Sequence, residues 1–599
     1  MKRWRIQLLI ALVLAVALWP QLPTQATTVA SSVRVGLYHD QTALPEVRLS
    51  ATSGLMLAQL PSGADVPVPL YQQTGPSSWT VRPDAFRLQF GPYSSLAAAN
   101  AALASLSGEK TRFVVQENDQ FYVHFGAYNS AATVQQGLQA TSQPGKVIGC
   151  YRVASDTLED LSTAEGLRDQ VLAHNLPASL AWMGNGWQVQ VGHEGDAQQA
   201  EALLAELKGL LSATGWRSTS PDLSRSEIYD HEGRLRLSVP EMDLYLGAIG
   251  AEQQQLEDPA LFTLHAGGGS KQYRGFLQLS LQPNSLYRGV LYLTVDQYLM
   301  GVLAAESWAS WPAEVQKAQA ITMRNWTVNS RGKHASAGFD FCTSTNCQTY
   351  KDYTGERPST QQAVLETAGL VMTYQGQVIS AFHCADGGDY TEAVENVWTG
   401  SRPTPWLVSV PELYPRESPY VQWEQRFSGE ELSALLRENG ISIGKVVSVQ
   451  VTDYTPAGRA MGLRLVDSGG KSVTLTGETP LRLYLTLKSR VYTVQPDVPP
   501  VSVLGADGQL VQVNPSGLQV ATAAGIHTLN STGKYHLRGA ASSASNNAAA
   551  SGFVFKGTGY GHGVGLSQWG AYAMAKNGHS YEEILRHYFQ GIELTRLGD

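Results

Sequence analysis

The chain has 599 residues, of which 43% are apolar and 16% charged, with a net charge of −8. That length exceeds one domain, and that apolar share suffices for ordinary cores. The acidic balance, with no run of Lys or Arg, argues against nucleic acid as a partner.

Lys2, Arg3 and Arg5 precede an almost wholly apolar run over 6–19, followed by Pro20, Pro23 and Thr24-Gln25-Ala26. A positive region, an apolar core and a small-residue cleavage site predict a secretory signal over 1–26. A retained anchor is the alternative, although the run is short for a bilayer span. The protein is therefore expected to be exported, to the periplasm or cell wall outside the cytoplasmic membrane. The chain holds 4 cysteines, too few for a disulfide framework, although an oxidising compartment makes a single disulfide the first expectation.

Residues 33–75 alternate as short strands and are read as a strand-rich segment that packs on the distant core. Self-similarity begins next. Phe86-Arg87-Leu88-Gln89-Phe90-Gly91-Pro92-Tyr93 and Phe121-Tyr122-Val123-His124-Phe125-Gly126-Ala127-Tyr128 open two units, and Trp187-Gln188-Val189-Gln190-Val191-Gly192 opens another. Each start alternates like a strand and leads into an Ala/Leu/Gln-rich helix, over 94–106, 130–140 and 196–211; a further helix over 157–173 completes the set. These strand–helix–strand units over 86–218 resemble the sporulation-related repeat (SPOR) domain. That resemblance implies binding to peptide-free glycan strands of peptidoglycan. The strand residues Arg87, Gln89, Tyr122, His124, Gln188 and Gln190 are taken as its exposed face.

Residues 225–490 read as a mainly β core that leads into a pair of helices. In 295–326, Tyr298, Leu299, Val302 and Leu303 share one helical face, and Glu306 comes where the helix should run out. Trp308 and Trp311 follow that acid closely in the chain. Pro312 suits the first position of a new helix, and Glu314 its third. Apolar rings beside a carboxyl disfavour its charged form, which suits an acid catalyst. Glu314 and Lys317 are spaced for an ion pair.

Two later stretches complete the pattern. Phe341-Cys342-Thr343-Ser344-Thr345-Asn346-Cys347-Gln348-Thr349-Tyr350 and Phe382-His383-Cys384-Ala385-Asp386-Gly387-Gly388 lie in the core. Residues 491–551 read as a strand-rich insert with a low-complexity linker, AASSASNNAAA at 540–550, expected to be a mobile loop. Residues 552–599 close the core and carry GHGVGLSQWGA, from Gly561 to Ala571. That Gly-rich loop lacks the Lys of a nucleotide loop.

With Glu306, Trp311, Pro312, Glu314, Lys317, Ala318, Gln319, Ala320 and Arg324 in order, then the Cys-containing stretch, then GHGVGLSQWGA, the chain resembles the stage II sporulation protein D family, also called amidase enhancers. The resemblance covers about 225–490 and 552–598. It implies an α+β, multidomain protein in which SPOR-like βαβ repeats precede a mixed, mainly β core with a helical active-site segment. It further implies a lytic transglycosylase that cleaves glycan strands to 1,6-anhydromuramyl ends, with Glu306 as acid and base. The alternative is a non-catalytic wall-binding protein that enhances a cell-wall amidase. Trp308, Lys317, Gln319, Arg324, His562 and Gln568 are expected to bind substrate or orient Glu306, and Asp386 to join them as a second acid or a loop cap. No cofactor is required. The family's Cys pair implies a structural zinc, for which Cys342, Cys347, His383 and Cys384 are the candidate ligands; Asn346 stands where a His ligand is usual. A disulfide between two of these thiols is the other reading.

Overall fold

β-Branched and aromatic residues in period-two runs, punctuated by Gly, Asn and Asp, make strand the commonest regular element among the described residues. The structure, a computed structural model, describes residues 32–597 except 108–110, 141–143, 212–214, 241–242, 399, 498–500 and 551; between 501 and 550 it describes 501–504, 509–513, 519–522, 525–528, 535–538 and 543–546. The segment 1–26, read as a secretory signal, lies outside the described residues. Among the described residues no helix is long and apolar enough to cross a membrane. The architecture is mixed α/β, with several sheets, mainly strand and several helices.

Five strands open it: β1 (Ser32–Tyr38), β2 (Val47–Ala51), β3 (Gly54–Gln59), β4 (Val68–Thr74) and β5 (Ser77–Pro83). The strand–helix–strand segments follow as β6 (Phe86–Tyr93), α1 (Leu96–Ser105), β7 (Arg112–Glu117), then β8 (Gln120–Tyr128), α2 (Ala131–Ala140), β9 (Lys146–Ala154). Next come α3 (Leu161–Ala173), β10 (Ala178–Trp182), β11 (Trp187–Glu194), α4 (Ala197–Leu210) and β12 (Arg217–Thr219). Side-chain oxygens of Ser95, Asp160 and Asp196 accept from the amides of Ala98, Thr163 and Gln199, which fixes where α1, α3 and α4 begin. The core adds β13 (Ser226–Tyr229), β14 (Leu235–Val239), β15 (Leu244–Ala248), β16 (Phe262–Ala266), β17 (Gly269–Tyr273), β18 (Phe276–Leu281) and β19 (Tyr287–Thr294). Helices α5 (Val295–Glu306) and α6 (Ala313–Asn329), strand β20 (Phe341–Cys342) and helix α7 (Pro358–Glu366) come next.

The opening strands are shared between two sheets. A seven-stranded sheet runs β20-β1-β19-β18-β15-β3-β4, with Val33 opposite Leu293 and Leu57 opposite Leu246. A 13-stranded sheet runs β17-β16-β2-β5-β13-β14-β10-β11-β9-β6-β8-β7, with β12 against β9. Its far edge returns on itself. Gln116 N–H donates to the Gly233 carbonyl (3.2 Å), and Phe113 packs edge-on against Tyr229 (5.5 Å). Strands β13-β14-β10-β11-β9-β6-β8-β7 thereby close into a ring.

Phe86, Leu88 and Phe90 pack with Ala99 of α1 and Val134 of α2. Alternation along a strand then turns Arg87 to the opposite face, the inside of the ring. There Glu227 is fully buried and takes Arg87 (2.9 Å), Arg152 (2.7 Å) and the Tyr229 hydroxyl (2.9 Å), while Asp84 holds the other side of Arg152 (3.1 Å). The glycan-binding face expected from the repeat strands is consequently not open. Arg87, His124, Gln188 and Gln190 are buried and Gln89 and Tyr122 half-buried. Ring closure is the reason, and it involves the hairpin β13–β14, which no repeat periodicity reports.

Helix α8 (Gly429–Glu438) packs Leu432 and Leu436 on Leu463, Leu475 and Phe555 in a separate core. In the insert, three hairpins pair 501–504 with 510–513, 519–522 with 525–528 and 535–538 with 543–546. Residues 543–546 of the expected mobile loop are thus strand; the rest of 540–550 lies outside the described residues. Finally α9 (Gln568–Lys576) and α10 (Tyr581–Tyr588) join α6 in a core of Trp311, Val315, Ile321, Leu566, Ala571 and Ile584.

Removing one partner of a buried ion pair leaves the others uncompensated, which costs about 3–5 kcal/mol. Glu227→Ala strands Arg87 and leaves Arg152 with Asp84 alone, so urea unfolding followed by tryptophan fluorescence should show a loss of that order; a change near zero would mean the interior charges are hydrated.

Candidate functional site

Helix α5 starts at a reciprocal cap, in which the Thr294 side chain accepts from Gln297 N–H and the Gln297 side chain accepts from Thr294 N–H. It is buried from Gln297 through Ala304 and emerges at its last two residues, Ala305 and Glu306, both half-buried. Glu306 Oε1 accepts from Thr349 N–H (3.2 Å), and its backbone carbonyl accepts from the Gln568 side-chain amide (3.1 Å). Gln568 thereby satisfies one of the carbonyls that a helix C-terminus leaves without a partner.

The turn after Glu306 is built on tryptophans. Trp308 is 55% exposed; it meets Trp311 edge-on at 5.0 Å and Trp569 at 5.2 Å. Gln316 is fully buried, and its amide donates to the carbonyls of Trp308 (3.0 Å) and Trp311 (3.3 Å). The sequence reading missed Gln316, whose polar type inside an otherwise buried helix was the available signal. Pro312 is the N-cap of α6 rather than its first turn, which moves Glu314 to the second helical position.

The segment 382–388 lies against the Gly-rich stretch. His383 and Cys384 pair in parallel with Leu566 and Ser567, and Leu566 N–H donates to the Phe382 carbonyl (3.0 Å). Gly565 is needed there: its φ is +76°, and a Cβ would lie 2.3 Å from that same carbonyl oxygen. Ser567 Oγ accepts from Gly387 N–H (3.0 Å) and from Gly570 N–H (3.3 Å), so one hydroxyl caps α9 and holds the Gly-Gly loop. Burial pushes the Glu412 carboxyl, bonded to the Tyr588 hydroxyl (2.7 Å), up to about 7. This second buried acid was also missed.

His383 is half-buried beside Glu306. Burial lowers its pKa, while the Glu306 charge opposes that shift. His562 lies behind it, against Trp398 (5.1 Å), and its Nδ1 accepts from Val564 N–H (3.0 Å), which leaves the proton on Nε2. Burial first, and then His383, pushes His562 down to about 3. It is neutral at working pH and acts as a fixed dipole.

Several expected site residues lie elsewhere. Gln319 and Arg324 are fully buried; Arg324 donates to Asp296 (2.8 Å) and the Leu370 carbonyl (3.0 Å). Lys317 bridges Glu314 (3.0 Å) and Glu366 (2.7 Å). Neither Gln319 nor Arg324 is a cleft wall, because both are fully buried, and Arg324 is tied to Asp296 and to the first residue of the strand Leu370–Tyr374. Asp386 is fully buried and paired with Arg416 (2.9 Å), so it is not a second acid open to substrate.

The proposed metal set is also rearranged. Cys342 and Cys347 are joined by His334, not by His383 and Cys384: ligand atoms of His334, Cys342 and Cys347 all lie within 4.8 Å of one another. His334 Nε2 is 3.2 Å from Cys347 Sγ. His334 was missed because it stands in the loop after α6, outside any motif. Cys384 is buried on its strand, and burial pushes its thiol up to about 12. The four cysteines are all free thiols. Two thiols and an imidazole suit zinc, with Zn–S near 2.3 Å and Zn–N near 2.0 Å. Burial pushes the Cys347 thiol up to about 11, so metal binding there releases a proton. The loop these groups pin, 342–350, is the one that delivers Thr349 N–H to Glu306; Tyr350 at its end stacks on Tyr298 of α5 (5.6 Å).

An unfolded His titrates near 6.5 and His562 near 3, so the unfolded chain binds the proton more readily between those values. The stability His562 gives is complete above about 6.5 and is lost as pH falls toward about 3. Melting temperatures measured across that window should fall less steeply for His562→Gln than for the parent.

Residues 285–374, which contain both helices and the Cys-containing loop, match the family model described as Stage II sporulation protein. The chain is similar to an uncharacterized protein of Brachyspira hyodysenteriae, 26% identical over 374 residues that span 62% of this chain and 83% of that one. It is similar to the Amidase enhancer of Bacillus subtilis, 25% identical over 311 residues, or 50% of this chain and 40% of that one. It is also similar to Stage II sporulation protein D of Bacillus subtilis, 25% identical over 319 residues, or 51% and 75%.

Proposed function

Since the core of this chain belongs to the stage II sporulation protein D and amidase enhancer family, we propose that it is an exported cell-wall protein, a lytic transglycosylase that cuts peptidoglycan glycan strands with Glu306 as its acid and base. The observation that carries this reading is the setting of Glu306. It is a half-buried carboxyl at a helix end, held by Thr349 N–H, beside an exposed Trp308 able to stack on a sugar ring.

The chemistry needs one carboxyl. Glu306 gives its proton to the leaving glycosidic oxygen as the C1–O bond breaks. The resulting carboxylate takes the proton of the muramyl O6 hydroxyl as O6 bonds C1. Atoms balance without water, and the product ends in a 1,6-anhydro sugar. An ordinary glycosidase needs a second carboxylate flanking the bond; the buried ion pair of Asp386 with Arg416 removes that candidate. His383 and the neutral His562 behind it supply polar groups on the same side as Glu306. Zinc on His334, Cys342 and Cys347 would be structural, fixing the loop that carries Thr349. A non-catalytic reading, enhancement of a wall amidase, is favoured by the name of the similar Bacillus subtilis Amidase enhancer.

Mass spectrometry of glycan strands incubated with the protein tests both readings. Anhydromuramyl ends should appear, and Glu306→Gln should reduce them by about 10²–10⁴-fold with melting unchanged. Undiminished cleavage by the variant sinks the assignment of Glu306, and binding without cleavage supports the amidase-enhancer reading.

Metal analysis of the purified protein should find zinc, and His334→Ala should lose most of it together with a measurable drop in melting temperature. A metal content unchanged by His334→Ala, or no zinc in the parent, rejects that ligand set.

A further inference from the structure

The ring closed by β7 on the β13–β14 hairpin is not filled to its mouth. A cavity of about 370 Å³ opens there, within the size range of small-molecule sites, and sites of this kind favour the mouths of barrels. Glu117 of β7, Gln190 and His193 of β11 and Tyr229 of β13 line it, with Leu172 of α3 at the rim. Gln190 is 6% exposed, yet its side-chain Oε1 has no hydrogen-bond partner. A buried acceptor left unpaired is destabilising, and a ligand donor would relieve that cost.

The charges in the cavity are not equivalent. The lining arginines are already neutralised: Arg168 by Asp169 (2.8 Å), Arg236 by Asp230 (2.7 Å) and Arg234 by Glu232. Glu117 differs. Its carboxylate neighbours are Gln89 (3.5 Å) and His124 (4.0 Å), and among the described residues no Lys or Arg lies within ion-pair distance of it. Burial pushes its carboxyl up to about 7. His124 and His193 are both held neutral, by burial first and then by nearby arginines. The cavity thus presents acceptors and the uncompensated Glu117 carboxyl, with the exposed Asp119, likewise unbridged among the described residues, also in its lining, to a ligand that must donate.

We propose that this cavity binds a small solute carrying a primary ammonium group, of amino-sugar or amino-acid size, with the ammonium on the Glu117 carboxylate and the Gln190 side-chain oxygen. The site is separate from Glu306 and stands or falls independently of the cleavage chemistry. An anion is disfavoured because each lining arginine already holds a carboxylate. The cavity is too small for an internal stretch of polymer, so the ligand is a free molecule or a chain end.

The test uses the whole purified protein and two amine probes, glucosamine and D-alaninamide, each beside its N-acetylated form, with binding followed by ligand-observed NMR and calorimetry. At least one free amine should bind saturably and about tenfold or more tighter than its acetylated form. Glu117→Gln should remove that preference with melting unchanged. Leu172→Trp, at an exposed rim position, should block binding without touching the core. Glu306→Gln should bind as the parent does. Equal binding of free and acetylated probes, no binding of either amine, or undiminished binding by both Glu117→Gln and Leu172→Trp overturns the proposal.

Discussion

The Gln568 side chain donates to the backbone carbonyl of Glu306 across 262 positions of sequence. A helix C-terminus leaves carbonyls without partners, and here the far end of the chain supplies the donor. Around that bond the rest of the site assembles. The Ser567 hydroxyl before it caps α9 and holds Gly387, the Gly-rich stretch lies along 382–384, and Trp569 after it packs edge-on to Trp308 and Trp311. Aromatic pairs of this kind each add about 0.5–1.5 kcal/mol beyond area burial. The surface around Glu306 is therefore a seam between the middle of the chain and its C-terminal part.

The other side of Glu306 is held differently. Thr349 N–H reaches it from a loop with little regular structure of its own, and that loop is pinned by Tyr350 stacked on Tyr298, by Gln348 bonded to Thr327 (3.2 Å) and by the His334, Cys342 and Cys347 group. A metal there would act on Glu306 through loop position rather than by touching substrate. Close approach needs freedom on one side, where glycines give it, and fixation on the other, where thiols and rings give it.

The repeat region shows how topology changes the meaning of a face. Strands that alternate apolar and polar residues expose their polar side when one face of a sheet is free. Here the sheet curls until β7 meets the β13–β14 hairpin, and the polar side becomes an interior. The charges survive burial because they satisfy one another, Glu227 between Arg87 and Arg152 being the centre of the set. Desolvation is offset by paired geometry, and the residual openings remain polar.

Much of the local structure was legible in residue order. The strand–helix–strand spacing follows from hydrophobic period and the position of Glu306 at a helix end from the run of apolar residues before it, whereas the caps set the helix starts, Asp160 beginning α3 four residues inside the helix expected over 157–173. The tertiary structure alone decided which of those residues meet solvent. Gln319, Arg324 and Asp386 have the chemistry of ligand-binding side chains but lie buried, and Asp386 is consumed by Arg416. His334, rather than His383, joins the thiols, although His383 stands next to a cysteine in the chain. The reason is physical: periodicity sets which side chains share a face, whereas burial and partnership depend on what covers that face, here segments tens to hundreds of residues away.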